Sequence, residues 1–169
     1  VSTLDGVQDG DWADFLRDRL DAVGPGAMTP NGGIERGGYR LVWREEPNGY
    51  SKALNSELGR VDLQYSLGLS LNTSNRITAV RWGSPAFEAG LSAGWDIVAV
   101  NGRAASAEAL SDAITAAKDP ATPVELMVRR GDRFRTIRFD YTGGLRYPHL
   151  ERIPGTPDRL GDILAPRRR

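Results

Sequence analysis

Cysteine is absent from the 169 residues, which rules out a disulfide framework, a thiolate metal site and a thiol nucleophile. Histidine occurs once, at His149, directly after Pro148, and one imidazole does not make a metal site. No apolar run is long enough to span a bilayer. Neither sign of charge prevails. The 22 Lys and Arg balance 22 Asp and Glu, and a neutral chain without a broad basic field offers nucleic acid no electrostatic reason to bind. No basic-then-apolar leader is visible from Val1 onward. Without an initiating Met, and beginning in mid-pattern, the chain is expected to be a fragment or a processed product. There remains an apolar content of 40%, enough for a core, and a length suited to one domain with extensions.

Periodicity organises the first sixty residues. Trp12, Phe15, Leu16, Leu20 and Val23 recur at helical spacing, which predicts a helix with one buried stripe, capped by Asp11 and stopped by Gly24-Pro25-Gly26. Residues 24 to 38 read as a loop. Tyr39, Leu41 and Trp43 alternate with Arg40 and Arg44 as a half-covered strand, and Pro47-Asn48-Gly49 reads as a turn. One helix and one strand bury too little surface to stand alone, so this segment is expected to pack on the residues beyond Arg60 or on a domain outside the chain.

From Arg60 the elements are short. Val61 to Tyr65 alternates as a strand. Ser66-Leu67-Gly68-Leu69 sets one glycine between apolar residues, with a polar turn at Asn72 to Asn75 beyond it. Ile77 to Trp82 is a strand, and Ser84 to Leu91 is a short helix stopped by Gly90. Trp95 to Val100 is a buried strand ended by Asn101-Gly102. Ser106 caps a helix running to about Lys118 with Leu110, Ile114 and Ala117 on one face, and Gly131-Asp132 joins the hairpin of 124–130 and 133–141. In the tail, Thr156-Pro157-Asp158 starts a helix carrying Leu160, Ile163 and Leu164.

This order of elements resembles the PDZ domain, and three stretches carry the likeness: Ser66 to Leu69 as a carboxylate-binding loop, Ser84-Pro85-Ala86-Phe87-Glu88-Ala89-Gly90-Leu91, and Gly94 to Gly102. The aspartate usual after Gly94 is replaced by Trp95, with Asp96 one place late. The resemblance implies an α+β fold, a small partly open β-barrel or sandwich with two helices, over residues 60–142. Residues 1–59 would be a linker ending a preceding catalytic segment, and 143–169 a tail with a helix. It also implies a peptide site. Backbone N–H groups around Leu67, Gly68 and Leu69 would converge on a C-terminal carboxylate, and the exposed edge of Leu69, Ser70 and Leu71 would pair with the peptide as an added strand. The glycine avoids a Cβ that would obstruct the approach. Ser66 belongs to the same loop, and Ala107, Leu110, Ser111 and Ile114 would form the facing helical wall. PDZ domains that select Ser or Thr two residues before the ligand terminus usually carry histidine where this chain has Ala107, so an apolar residue is expected there. The last ligand residue is also expected to be apolar, against Leu67, Leu69 and Ile114.

A second resemblance covers nearly the whole chain. Gly131 to Thr136, Gly143-Gly144-Leu145-Arg146-Tyr147-Pro148-His149-Leu150-Glu151-Arg152 and Pro154 to Leu160 are similar to the C-terminal end of bacterial glycyl aminopeptidase-type zinc metallopeptidases. Asp11 to Val42 is similar, more loosely, to the segment joining the catalytic and PDZ domains of those enzymes. The resemblance implies a periplasmic or secreted parent, with zinc held in a catalytic domain outside this chain. It implies no cofactor here, because the family's His-Glu-x-x-His motif is missing. The partners expected are a peptide or protein C-terminus with an apolar last residue and the missing catalytic domain, with no nucleic acid and no membrane. No catalysis is expected from this chain. The competing expectation is a structural domain whose groove is occluded and which braces the catalytic domain; a covered Leu69–Leu71 edge would favour it. Trp82, Trp95 and Phe87 are expected in the core or at a domain contact, His149 in tail packing or at the surface, and Arg167 to Arg169 as a solvated end.

Overall fold

The computed structural model describes residues 2–22 and 31–166. The helix stop at Gly24-Pro25-Gly26, the last stripe residue Val23 and the end at Arg167–Arg169 lie outside the described residues. In chain order the elements begin with α1 (Ser2–Asp5), α2 (Trp12–Asp21), α3 (Gly32–Arg36), β1 (Tyr39–Arg44) and α4 (Gly49–Glu57). Next come β2 (Arg60–Leu63), β3 (Leu69–Asn72), β4 (Ile77–Val80), α5 (Pro85–Glu88), β5 (Asp96–Val100) and β6 (Arg103–Ala104). The last are α6 (Ala107–Ala116), β7 (Val124–Arg130), β8 (Arg133–Phe139), β9 (Tyr147–Arg152) and α7 (Arg159–Leu164). The fold is mixed α+β, as expected, with antiparallel pairing in the sheets whose register is defined, and among the described residues no sheet closes into a barrel.

The chain divides into two compact units, one of residues 1–41 with 150–169 and one of residues 42–149. In the first, Asp11 caps α2 by accepting the Asp14 N–H at 3.1 Å. The predicted buried stripe is not buried. No residue of α2 is buried, and Leu20 is 81% exposed. The Arg152 guanidinium donates to the Gly38 carbonyl at 2.6 Å and stacks 5.0 Å from the Tyr39 ring. Asp158, rather than Thr156, caps α7, accepting from Gly161 N–H at 2.8 Å. Residues 31–38, expected as loop, contain the short helix α3.

The second unit holds two open sheets, ordered β2-β3-β4 and β6-β5-β7-β8, that share one core. Leu69, Leu71 and Ile77 enter it from one sheet, Val124, Leu126 and Val128 from the other, and Leu110 and Ile114 from α6. Alternation along β7 explains the second set: successive side chains point to opposite faces, and 124, 126 and 128 share the inner one. Each fully buried leucine stabilises the fold by about 2 kcal/mol over exposure, an upper figure because unfolded chains bury part of it too. Ser84 and Ser106 cap α5 and α6 by accepting the Phe87 and Ala109 N–H groups. Pro47-Asn48-Gly49 does not turn the chain into a loop. Asn48 caps α4, accepting from Ser51 N–H at 2.8 Å.

Asp96 ties the two sheets at one corner. It bridges to Arg76 at 2.8 Å and to Arg129 at 3.3 Å, beside an antiparallel bridge between Arg76 and Asp96. The hydrogen bond from Arg76 holds its carboxyl below the usual carboxylate range. A depressed folded-state pKa means the stabilisation is present above the unfolded value and is lost as pH falls through the folded one. Asp96→Asn should therefore flatten the decline of Tm on the acid side of about pH 4. Parallel thermal melts of the two proteins from neutral to acid pH check this; identical pH slopes would contradict it.

Candidate functional site

The loop between β2 and β3 was expected to present backbone amides to a ligand carboxylate. Its N–H groups do converge on one oxygen, but that oxygen belongs to the chain. Ser66 N–H donates to the Leu63 carbonyl at 3.1 Å and Gly68 N–H to the same carbonyl at 2.9 Å. The loop is held from behind by the start of α5 and the end of β4: Ala86 N–H donates to the Leu67 carbonyl at 2.9 Å, and the N–H of Arg81, just after β4, to the Gly68 carbonyl at 2.8 Å. Gly68 has φ +85°, and a Cβ there would fall inside the Ser84 side chain. Glycine is required at this position for backbone conformation and for space.

The edge of Leu69–Leu71, expected to be exposed, is covered. β2 pairs antiparallel along it, with Val61 opposite Leu71, Asp62 opposite Ser70 and Leu63 opposite Leu69, while β4 takes the other edge. β3 is therefore a central strand. Leu67, Leu69 and Leu71 are fully buried, Ser66 and Ser70 nearly so, and Leu63 is 1% exposed in the same core. The facing wall is split. Leu110 and Ile114 of α6 are core residues, whereas Ala107 and Ser111 remain accessible, with the Ser111 hydroxyl donating to the Ala107 carbonyl at 2.9 Å. An open pocket of about 470 Å³ lies at that end, between Arg60, Val61, Asn72 and Ala107. The structure thus brings the expected residues together, but with a segment of the chain itself along the strand edge.

Around the loop mouth lies an arrangement that sequence reasoning did not single out. Trp43 packs on Tyr65 with centroids 4.8 Å apart, Arg146 stacks 4.8 Å above Trp43, and Arg81 lies 5.5 Å from Tyr65. The Arg146 N–H donates to the Ser66 hydroxyl at 3.1 Å, and burial pushes the nearby Tyr141 phenol up. The stacked pairs are 16, 22 and 103 positions apart along the chain, so no local spacing reveals the stack. Trp82, expected in the core or at a domain contact, is 83% exposed and therefore outside the core, with its ring centroid 4.4 Å from that of Phe87. Trp95 is in the core as expected, 9% exposed. His149 Nε2 shares a 2.7 Å hydrogen bond with the Glu46 carbonyl. Among the described residues no group of three His, Cys, Asp or Glu side chains is placed to hold a metal, and no helix is long and apolar enough to cross a membrane.

Comparison with protein-family models gives no match, and comparison with curated proteins gives no significant one.

Proposed function

We propose that residues 60–142 are a PDZ-type module whose peptide groove is filled by its own preceding strand, serving to brace the catalytic domain of a bacterial zinc aminopeptidase in the periplasm or outside the cell. The observation that carries the reading is the pairing of Arg60–Leu63 along the β3 edge, where an added peptide strand would lie. The aminopeptidase context rests on the resemblance of the tail, from Gly131 to Leu160. In this reading the chain holds no zinc and hydrolyses nothing. The test is a screen against peptides with free and amidated C-termini. Apolar-ended peptides should show no binding that depends on a free carboxylate; saturable, amidation-sensitive binding by the unmodified chain would sink the occluded-groove reading.

A second reading, a peptide-binding module in which an incoming strand replaces β2, is favoured by the two amides converging on the Leu63 carbonyl. They form an oxygen-accepting nest of the kind a terminal carboxylate would use. The two readings differ only in whether β2 yields.

A further inference from the structure

The β7–β8 hairpin breaks its own pattern at the tip. On β7 the inward positions are Val124, Leu126 and Val128, all fully buried, and the next position of that alternation is Arg130. On β8 the inward residues Phe139 and Ile137 continue as Arg135 and Arg133. Cross-strand register confirms the shared face, with Val128 opposite Arg135 and Arg130 opposite Arg133. The core face of an amphipathic hairpin therefore ends in three arginines. Beneath them is Trp95, with the guanidinium carbons of Arg135 and Arg130 at 5.7 Å and 6.0 Å from its ring centroid. Phe134, 57% exposed, completes a concavity of about 590 Å³.

Two features set this cleft apart from a solvated surface. Like charges placed directly opposite, as Arg130 and Arg133 are, destabilise a hairpin. Among the described residues none of Arg130, Arg133 and Arg135 is in an ion pair, whereas the neighbouring Arg129 is neutralised by Asp96. Inward charges on an edge strand discourage edge-to-edge pairing, and β8 is an edge. That role does not call for Arg130, which is on the inner strand β7, nor for an aromatic floor.

We propose that this cleft binds an acidic peptide segment of a partner protein, its carboxylates bridging the guanidiniums of Arg130, Arg133 and Arg135 over Trp95. Charge complementarity selects the occupant, and guanidinium forks match carboxylates in geometry as well as sign. A nucleic acid fits less well. The chain has formal net charge +0, so no long-range field gathers a polyanion, and the Trp95 face is already covered by guanidiniums rather than open for base stacking. The site is independent of the β3 groove and of the reading proposed for it.

The experiment uses the full chain and fluorescence anisotropy with a short labelled peptide alternating Glu and Ala. Controls are its Gln counterpart and a single-stranded oligonucleotide of equal charge. The acidic peptide should bind, the Gln peptide should not, and added salt should weaken the complex. The triple variant Arg130→Gln, Arg133→Gln, Arg135→Gln should bind about tenfold more weakly, the cumulative effect of three modest charge pairs. Arg103→Gln, remote from the cleft, should bind as the unaltered chain does. Should the triple variant fail to fold, Arg133→Gln alone is read, with a loss of about twofold expected. Absence of peptide binding, undiminished binding by the folded variants, or tighter binding of the oligonucleotide than of the peptide would each overturn the proposal.

Discussion

Gly68→Ala should destabilise the second unit by about 2–5 kcal/mol, the sum of a left-handed backbone forced on an L residue and overpacking against a buried neighbour. The backbone sits at φ +85°, and the new methyl would collide with Ser84, itself 1% exposed and bonded to the Arg81 carbonyl at 2.6 Å. Neither partner has room to retreat. A fall in Tm of roughly 10–20 °C is expected for a unit of this size. A larger residue, such as tryptophan, would abolish folding and so is no control for ligand binding at this loop. Thermal denaturation decides the matter, and a Tm within a degree or two of the parent would contradict the packing described.

Leu63→Ala should cost a comparable amount, about 2–5 kcal/mol, because the leucine is 1% exposed and its removal leaves a cavity in the shared core beside its cross-strand partner Leu69. This substitution also separates the two readings of the groove. If β2 is a fixed part of the core, an added peptide ending in an apolar residue leaves the weakened Tm unchanged. If β2 occupies a true peptide site, the same peptide fills the vacated pocket and raises Tm in proportion to the logarithm of its concentration. Melts of the variant with and without peptide, with the amidated peptide as reference, give the answer.

Much of the fold was legible because its signals are local. Ser84 and Ser106 announce α5 and α6 through short-range caps, and Gly131-Asp132 announces the two-residue turn between β7 and β8. Polar Asn72 marks the turn after β3, its side chain accepting from Ser74 and Arg76 N–H groups. The elements that escaped did so for physical reasons. α4 hides behind Pro47-Asn48-Gly49, which has the composition of a turn yet supplies an asparagine cap. β9 contains Pro148, which argues against a strand except at an edge, and β9 has one neighbour, β1. The candidate site was legible in its parts but not in its occupancy. Residues 61–65 and 69–71 both read as strands, but alternation says nothing of which edge a strand takes, so the closure of the β3 edge by β2 could not be read from pattern.

Only Gln64 to Gly68 separate Leu63 from Leu69. So short a tether presents β2 to its neighbour at an effective concentration on the order of millimolar. A free peptide at micromolar concentration would have to pair about a thousandfold better than Arg60–Leu63 merely to share the position. Ligand supply is therefore a poor lever on this edge. Withdrawal is a better one: Gly59, at φ +55°, joins β2 to the end of α4, and tension on that helix would unzip the strand from its Arg60 end. Pairing of Arg60–Leu63 with β3 is therefore expected to depend more on how the α4 end of the strand is held than on the concentration of a free peptide.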